Sequence, residues 1–556
     1  MTGNLMLNVF RRIANAYRHL DIPLRRYVAV YIGGSVLLAS IILVGGLAVA
    51  ELQFIRQAIV LLALFIVFVA VAYPFILEQR KKREINDNFH IFVTHLTVLS
   101  LTNTNRITVF RKLADEEDYG ALADEMHRLT TYIDAFNLSL DDACRRRANE
   151  TSSELLSNFY EELAYNIGSG RNLSDFLYAE QEEVRGMFAT KYESQLDKIE
   201  TVGELFLSTA LGMAFLFVFA MLTPFLTGIR PLFILGGVVF LYTFIQVLFT
   251  YLLSAVSPND RIWYFPEDRY SDAQLKIWAS LLVGGVGVVL LAILTMMFAD
   301  SISVYFYLPI PTTALIIPSV VIYQMERDIY LSEQQYPAFV QGLGSIESVK
   351  QTSTRDVLRT LKNKDFGRLS EYIRNLYRRL SLSLDKRMAW DLFSAEVSSN
   401  LVHRFTDMYV LGRDLGGDPE KIGDIVSENF REIHELRQRR QTMKRKMIGL
   451  LYGVTAATSF TYFASLEILD IMVDIGGEVD TGFAGEIFFS HVYDMGVVTA
   501  AIFGVVLINS LFTAIIARRI GGTHIAGVVI HIFILVWLNF TIGYGIHYAA
   551  VELLDI

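Results

Sequence analysis

The sequence is poor in the residues that build covalent or metal-bound scaffolds. Its 556 residues contain a single cysteine, Cys144, which excludes a scaffold of intrachain disulfides. Proline is scarce, at 11 residues, and this scarcity favours helices. The net charge of −9 gives no overall basic surface for nucleic acid, so no nucleic-acid partner is expected. Apolar residues are plentiful, at 53%, and beside 19% charged residues they exclude disorder and indicate membrane spans that alternate with polar domains.

Signatures of catalysis and of ligand binding are also missing. The sequence has no Gly-x-x-x-x-Gly-Lys-Ser/Thr loop to bind a nucleotide phosphate and no His-Glu-x-x-His motif. Among its ten histidines, His90 and His95 are the nearest pair of the first polar domain, but no third ligand lies near them in sequence. Three arginines beside Cys144 could lower the pKa of its thiol, yet no base is evident, and we interpret the residue as packing or as unreactive surface. We therefore predict no enzyme activity, no cofactor and no metal site.

Nine apolar stretches are long enough to cross a bilayer, which takes about 20 residues. They lie in pairs at 28–77, 204–256 and 277–323 and as a group of three at 447–548. The preceding segment, 1–27, is predicted to be an amphipathic helix on the cytoplasmic membrane surface, with a frayed basic tail as the alternative. A cytoplasmic N-terminus puts 47 of the 49 lysines and arginines inside, as expected for membrane proteins. We therefore predict a multi-pass protein of the cell membrane with an extracellular C-terminus.

Two polar stretches, 78–203 and 324–446, interrupt the spans, and each is long enough for a small domain. Apolar residues recur in both at steps of three or four, which is typical of helices, and the alternation typical of strands is absent. We predict an all-α fold, with nine transmembrane helices and two helical-bundle cytoplasmic domains.

The two halves of the chain repeat the same short motifs in the same order. The paired segments are Phe92-Val93-x-x-Leu96 with Phe339-Val340-x-x-Leu343, Asp118-Tyr119-Gly120 with Asp365-Phe366-Gly367, Leu138-Ser139-Leu140-Asp141 with Leu382-Ser383-Leu384-Asp385, Ile167-Gly168 with Leu415-Gly416, Gly203 with Gly449, and Leu248-Phe249-Thr250 with Leu511-Phe512-Thr513. An ordered series of this kind indicates an internal parallel duplication. Its unit is two spans, a helical domain and two more spans, and the ninth span follows the second copy.

Glycines follow the last apolar-periodic segment of each polar domain, and left-handed helix caps favour glycine. Asn172 or Ser174 is expected to cap the helix after the first break, and Asp418 the helix after the second. The structural helix breaks predicted in this way are Gly168, Gly170, Gly416 and Gly417.

The two polar domains differ in charge, with a net −8 over 78–203 and a net +4 over 324–446. The basic excess is concentrated at 350–387, where 11 basic residues accompany four acidic ones. A local basic surface on an acidic protein suggests a negatively charged partner, with a solvated helix face or contact with anionic lipid as the alternatives. Arg374 and Arg378 lie four residues apart and share a helix face opposite an apolar stripe. The residues expected to make the contact are Arg374, Arg378, Arg379, Lys386 and Arg387.

The duplicated helical domain, with each copy set between membrane spans and with the weak motif Gly168-x-Gly170-x-x-Leu173, resembles the type II secretion system F family. Members of this family are the membrane platform proteins of pili, secretion systems and archaella. The resemblance extends over roughly residues 28–517, and the nine-span layout is similar to the archaeal branch. It implies a platform for assembling an archaeal type IV pilus-like filament, and the modest length of the chain favours an archaellum over an adhesive pilus or a secretion system.

The resemblance also implies partners. Platform proteins of this family have no ATPase activity of their own, and a hexameric cytoplasmic secretion ATPase docks on their inside domains. Its motion drives pilin-like subunits, here archaellins, out of the surrounding membrane lipids and into the filament. The five basic residues named above are accordingly expected to contact the ATPase. A homodimer is expected from small residues at the third and fourth spans that allow close helix approach, with helix packing within one chain as the alternative use of these residues: Gly203, Gly212, Gly236 and Gly237.

A secondary transporter is the competing function, because many transporters also carry internal repeats. It would place ionisable groups inside the membrane, and few are present. Glu204, Glu467 and Asp470 lie near span ends, while His531 and Asn539 are the main internal polar residues and suit hydrogen bonding between helices. A signalling receptor, the third class, would need an output domain, and we recognise none in the sequence.

Overall fold

The computed structural model describes Ser35, Ser40 and residues 53–227, 231–258, 260–266, 272–382, 384–478 and 494–554. Apart from those two serines, the first predicted span, 28–50, lies outside the described residues. The chain divides into two compact units, Met1–Val184 and Arg185–Ile556.

Helices account for the regular structure of the described residues. They are α1 (Gln53–Ser100), α2 (Arg106–Ala114), α3 (Ala121–Phe136), α4 (Leu140–Glu150), α5 (Glu154–Gly168), α6 (Leu173–Thr227), α7 (Pro231–Val256), α8 (Asp272–Met297), α9 (Ile316–Lys350), α10 (Thr354–Leu361), α11 (Leu369–Ser381), α12 (Lys386–Val397), α13 (Asn400–Asp414), α14 (Pro419–Glu478), α15 (Met495–Gly521) and α16 (Val528–Leu554). Short helical turns occur at Glu117–Tyr119 and between α8 and α9. A single antiparallel bridge, between Trp263 and Ser399, is the one β-type pairing in these ranges. The all-α prediction is confirmed.

Seven helical segments in the described part of the chain are long and apolar enough to cross a membrane. They are Leu173–Pro224, Ile234–Val256, Asp272–Met297, Val304–Lys350, Pro419–Val473, Met495–Gly521 and Ile525–Glu552, and they coincide with the third to ninth predicted spans. The second predicted span, 58–77, falls on α1, where nearly all side chains lie outside the described residues. The structure therefore gives seven candidate spans, and nine stays a prediction.

Predicted domain borders fall inside continuous helices. The borders at 77, 203, 323 and 446 lie within α1, α6, α9 and α14 respectively. Polar and apolar segments are therefore joined by uninterrupted helix, so that each border is a change of surface composition and not a break in the backbone.

The core of the first unit is built on aromatic residues. Phe92 is fully buried on α1, and its ring meets that of Tyr119 edge to face, with centroids 5.6 Å apart. Phe89 makes the same kind of contact with Phe159 of α5 at 5.4 Å. Such pairs add a geometric preference to the burial of large apolar surface, which fixes how α1 packs on its neighbours.

The second copy repeats this core. Phe339 of α9 is fully buried and meets Phe366 edge to face at 5.8 Å, in the same position as the first pair. The residues that follow the two partner rings, Gly120 and Gly367, both have positive φ, of 51° and 56°. These two pairs of sequence motifs thus occupy matching places in the two domains.

One helix of each domain carries the same buried stripe. In α3 the stripe faces the core through four side chains, and α11 repeats it with the same spacing. The stripe residues of the first copy are Leu122, Met126, Leu129 and Ile133, and those of the second copy are Leu369, Ile373, Leu376 and, half-buried, Leu380. The predicted apolar stripe of the second domain is therefore present in both.

Helix breaks also correspond between the copies, in a register that differs from the predicted one. Gly170 and Gly416 have positive φ, of 74° and 83°, and each amide donates to a carbonyl three residues earlier at 3.1 Å. Gly168, the predicted counterpart of Gly416, is instead the last residue of α5. Gly417 follows the second break, and its amide donates to a carbonyl of the last turn of α13.

The motif pair 138–141 and 382–385 is also displaced by two residues from the predicted register. Ser139 caps α4 by accepting a hydrogen bond from the amide of Asp142 at 3.3 Å, and Asp385 caps α12 by accepting one from Met388 at 2.9 Å. Asp385 therefore corresponds to Ser139 and not to Asp141. Serine and aspartate are both favourable N-caps, so a motif that contains both offers two possible helix starts.

The caps after the glycine breaks match as well. Asn172 accepts a hydrogen bond from the amide of Ser174 at 3.2 Å, and Asp418 accepts one from Glu420 at 3.0 Å. The long helices α6 and α14 consequently start at equivalent places, 246 residues apart in the sequence.

Equivalent residues of these two long helices face each other within the second unit. Ion pairs join Glu193 to Arg439 and Glu200 to Lys446, and the partners are again separated by 246 residues. Two parallel helices whose equivalent positions meet at two levels are related by an approximate two-fold axis that runs between them.

The helices that follow continue this relation. Gln246 of α7 donates to Asn509 of α15 at 3.3 Å, and these residues hold equivalent positions in the motif alignment. The rings of Phe217 and Tyr462 meet edge to face at 5.1 Å between α6 and α14. The four helices therefore form an internal pseudo-dimer inside one chain, as a parallel duplication implies.

Candidate functional site

The predicted contact residues lie on α11 and α12. Burial of the stripe fixes which face of α11 is turned inward, because residues three and four apart share a face. Arg374 and Arg378 fall on the other face, and both are exposed. Neither makes an ion pair with any residue in the described ranges, so both positive charges are available to a partner.

The other three predicted residues are engaged within the domain. Arg379 forms a two-point ion pair with Glu396 of α12, and both side chains are half-buried. Lys386 pairs with Asp414 at the end of α13. Arg387 lies 3.8 Å from a carboxylate oxygen of Asp407 and is otherwise exposed. These pairs neutralise charge and connect α11, α12 and α13, so their first role is structural.

Helix α10 brings further cations to the exposed face of α11. Lys362 places its ammonium 4.0 Å from the ring centre of Tyr377. Hydrogen bonding with Ser381, together with the positive charges of Lys362 and Arg359, lowers the pKa of Tyr377 below its ordinary value. The electrostatic potential at this face is therefore positive.

We call this face the basic surface and define it by the exposed or half-exposed cations of α10, of its C-cap residue Lys362 and of α11 that have no carboxylate partner among the described residues. Its members are Arg355, Arg359, Lys362, Arg374 and Arg378. All five belong to the basic residues of 350–387, but only Arg374 and Arg378 are among the contact residues expected from the sequence. The spacing of Arg355 and Arg359, four residues apart like Arg374 and Arg378, was the available signal.

Chemically, the basic surface suits an anionic protein face. Arginine presents a planar fork of donors that can bind a carboxylate at two points. Four of the five cations are arginines, and they project from two adjacent helices whose cores are fixed by buried leucine and isoleucine. Such a preorganised set can accelerate association with an acidic partner.

The one cysteine of the chain, Cys144 of the first unit, lies in an environment that does not favour reactivity. Cys144 is fully buried on α4, and burial, followed by the nearby Asp141 carboxylate, raises the pKa of its thiol. The neighbouring arginines therefore do not activate it. Arg147 instead turns inward, where it binds Glu125 at 2.6 Å and Glu150 at 2.8 Å.

Polar residues of the predicted spans bond to one another. His531 shares a hydrogen bond of 2.6 Å with the Tyr452 hydroxyl, and Asn539 donates to Ser510 at 2.8 Å. Glu467 accepts from the Tyr305 hydroxyl at 3.0 Å and lies 3.0 Å from a ring nitrogen of His547. These bonds join different helices, as sequence analysis expected for His531 and Asn539.

Comparison with known proteins locates the chain among its relatives. The model of the type II secretion system protein F family matches residues 92–221. Over 494 residues the chain is 29% identical to the "Flagella accessory protein J" of Methanocaldococcus jannaschii. This alignment covers 87% of this chain and 88% of that protein. It is 27% identical over 500 residues to the protein of the same name from Methanococcus voltae, with the same coverage of both chains.

A shorter match, 24% identical over 153 residues, is to an uncharacterized protein of Methanocaldococcus jannaschii and covers 28% of this chain and 26% of that one. No solved structure matches the chain significantly. The family match begins at Phe92, the first residue of the first paired motif, and ends within α6. The resemblance predicted from the duplicated domain is confirmed: the chain carries a type II secretion system protein F domain and is a relative of the flagella accessory proteins J.

Proposed function

We propose that the protein is the membrane platform on which an archaellum is assembled, and that it couples a cytoplasmic hexameric ATPase to the insertion of pilin-like subunits. The similarity to two flagella accessory proteins J over 87% of the chain is the observation that carries this proposal. Platforms for an adhesive pilus or for a secretion system are the nearest alternatives, and a secondary transporter is the more distant one.

The basic surface is our candidate for the ATPase contact. Its five cations are exposed or half-exposed and lack carboxylate partners within the described residues, whereas Arg379, Lys386 and Arg387 are engaged by Glu396, Asp414 and Asp407. We therefore place the contact on α10 and α11, and α12 contributes mainly by holding α11 in place.

The topology proposed with this function has nine spans, with the N-terminus in the cytoplasm and the C-terminus outside the cell. The polar domains at 78–203 and 324–446 are then both cytoplasmic. In a background without Cys144, a cysteine at Ser353 should resist impermeant thiol reagents in intact cells, and one at Gly476 should react. The opposite labelling pattern would contradict the orientation.

A homodimer is proposed from the open glycines of α6 and α7. A β-carbon added at Gly212, Gly236 or Gly237 would meet no described atom within 4 Å, so packing inside the described chain does not explain these glycines. Gly203 is different, because Met447 covers it. Replacement of the three open glycines by leucine should shift the mass in detergent from dimer to monomer, and a parent protein that is monomeric at every concentration would contradict the proposal.

The ATPase contact is tested with Arg374→Glu/Arg378→Glu in the full chain, reconstituted in nanodiscs with the purified hexameric ATPase. Reversal of two exposed charges removes attraction and adds repulsion, so the association rate should fall about 10-fold or more. The parent rate should also decrease steeply between low and high salt, whereas the rate of the variant should change little, because salt screens exposed charges.

The matched control is Arg106→Glu/Arg171→Glu, which makes the same change in net charge at two exposed arginines of the first polar domain. It should leave association within about twofold of the parent. If the Arg374/Arg378 variant binds the ATPase at the parent rate and cells that carry it still assemble filaments, the basic surface is not the contact. Cells in which the intact, membrane-inserted parent protein is dispensable for filaments would overturn the platform function itself.

A further inference from the structure

A cavity of about 520 Å³ lies in the second unit, where α9, α14, α15 and α16 come together near the predicted start of the seventh span. Its lining contains three carboxylates and twice as many cationic side chains. The cations are Arg327, Arg437, Arg440, Lys444, Arg445 and Arg518. The positive charges of the lining therefore outnumber its negative charges, and an anionic occupant would neutralise the excess.

The carboxylates are already bound. Arg437 donates to Asp260 at 3.0 Å and to Glu333 at 2.7 Å, so one guanidinium holds two of the three. Arg518 forms an ion pair with Glu326, the third. These contacts use two arginines and leave four cations at the cavity without a carboxylate among the described residues.

Of those four, Arg440 is anchored by neutral groups. It donates to the carbonyl oxygen of Ile520 at 3.1 Å and to the Ser257 hydroxyl at 2.8 Å, both of which fix its position without removing its charge. Lys444 lies half-buried one turn further along α14, and Arg445 and Arg327 are exposed at the rim. The fold therefore holds like charges together at one wall of the cavity.

Glycines make room for this arrangement. A β-carbon at Gly521 would collide with the side chain of Lys444, and one at Gly522, whose φ is +65°, would collide with the guanidinium of Arg440. Gly527 accommodates Arg518 in the same way. The end of α15 and the loop after it therefore have glycine at the three positions where a cationic side chain of the cavity passes close to the backbone.

The remaining wall is apolar. Ile329 of α9, Ile448 of α14 and Ile530 of α16 line the cavity beside the cations. Ile448 lies just beyond the Lys444-Arg445-Lys446 run, at the start of a predicted span. An occupant that satisfies both walls has an anionic head and an apolar body, and basic pockets between the ends of membrane helices suit lipid phosphate groups.

We propose that this cavity is a binding site for a phosphate group, held by Lys444, Arg445 and Arg440, and that a membrane lipid is the molecule that carries it. The ammonium and guanidinium groups would donate to the phosphate oxygens, as such groups do at phosphate sites generally. A soluble phosphate compound shares this chemistry, and the experiment separates the two sources.

The test titrates the full chain, purified and delipidated in a nonionic detergent, and counts bound ligand by native mass spectrometry. The probes are phosphatidylglycerol, phosphatidylcholine and inorganic phosphate. One phosphatidylglycerol should bind per chain about 10-fold or more tightly than phosphatidylcholine. In Lys444→Gln/Arg445→Gln that affinity should fall about 25-fold, which corresponds to about fivefold for each lost cation near a membrane surface.

The control is Lys198→Gln/Lys421→Gln, which removes two exposed cations away from the cavity and should change the affinity less than twofold. Lys444→Arg should retain binding, and equal melting temperatures would show that the variants are folded. Competition by inorganic phosphate at equal concentration would assign the site to a soluble phosphate compound and overturn the lipid assignment. Equal binding of the two lipids, or equal loss in the cavity and control variants, would overturn the site.

Discussion

The two polar domains share their interiors and differ at their surfaces. Phe92 with Tyr119 and Phe339 with Phe366 form the same edge-to-face contact, at 5.6 Å and 5.8 Å. The net charge nevertheless changes from −8 over 78–203 to +4 over 324–446. A duplication that keeps its core and inverts its surface charge indicates that the two copies fold alike and meet different surroundings.

The difference is sharpest on the helix that carries the stripe. Arg374 and Arg378 follow buried Ile373 and half-buried Tyr377. Counted from the shared stripe, their equivalents in the first copy are His127 and Thr131. The first copy therefore has neither arginine nor lysine at these two positions. The basic surface is therefore a property of one copy and not of the domain type.

The largest effect on stability is expected from two separate variants of the shared core, Phe92→Ala in the first domain and Phe339→Ala in the second. Removing a fully buried phenylalanine typically costs about 3–5 kcal/mol of the free energy of unfolding, so each variant should open its own domain. Cys144 reports on the first domain, because its buried thiol reacts only when the domain opens. A cysteine at the buried Ser394, in a background without Cys144, reports on the second.

Rates of alkylation should rise strongly in the domain that carries the substitution, and by similar factors in the two copies. Phe92→Leu and Phe339→Leu keep most of the apolar volume and should cost less. A loss in one copy many times greater than in the other would contradict the equivalence of the two cores.

A second prediction concerns buried arginines, which the copies use differently. Arg147→Ala leaves Glu125 buried, with Arg128 3.6 Å away as its remaining cation. Arg413→Ala leaves Glu347, which still accepts hydrogen bonds from Tyr409 at 3.0 Å and Thr354 at 3.1 Å. Breaking a buried ion pair costs about 3–5 kcal/mol when the remaining charge is left alone.

We therefore expect the larger cost in the first domain, where Arg147→Ala breaks ion pairs with both Glu125 and Glu150, and the smaller one in the second, where Arg413→Ala breaks the pair with Glu347. Both are measured by the same alkylation assay. Arg147→Lys and Arg413→Lys retain the charge and serve as controls. Equal costs for the two alanine variants would show that the hydrogen bonds to Glu347 do not compensate for the loss of Arg413.

Much of this architecture could be predicted from the sequence, because it depends on local patterns. The stripe of Leu369, Ile373 and Leu376 follows the helical period, and all three are buried. Asn172 and Asp418 cap their helices because a short side-chain oxygen can reach an amide two residues on. Each of these features is decided within a few residues of chain.

What the sequence could not predict depends on partners that are distant in the chain. Arg379 is engaged by Glu396, 17 residues away, and Lys386 by Asp414, 28 residues away, so only packing of three helices reveals that these charges are paired. Pairing Gly168 with Gly416 failed because both copies contain two neighbouring glycines, and only φ shows that Gly170 is the true counterpart.

Gly170→Ala and Gly416→Ala test the helix breaks after α5 and α13, and their expected effect on stability is smaller. Both glycines have positive φ, where a β-carbon costs about 1 kcal/mol. The two variants should lower the melting temperature of the protein slightly and equally, whereas Gly168→Ala, at a helical position, should not lower it. If Gly168→Ala lowers the melting temperature more than Gly170→Ala does, Gly168 is the counterpart of Gly416, as predicted from the sequence.

The smallest expected effect on stability, and the most informative about specialisation, is an exchange of surface residues between the copies. Arg374→His/Arg378→Thr gives the second domain the residues of the first at two exposed positions. Exposed charges without partners contribute little to folding, so the free energy of unfolding should change by less than about 0.5 kcal/mol. If the basic surface serves a partner, the same exchange should slow association with the ATPase severalfold at low salt and have no effect at high salt. The reciprocal variant, His127→Arg/Thr131→Arg, adds the charges to the first domain and should not restore binding, because that domain has a net charge of −8 and Arg111 of its helix α2 is already paired with Asp134. Restored binding in the combined variant would show that charge alone, and not its placement on α10 and α11, determines the contact.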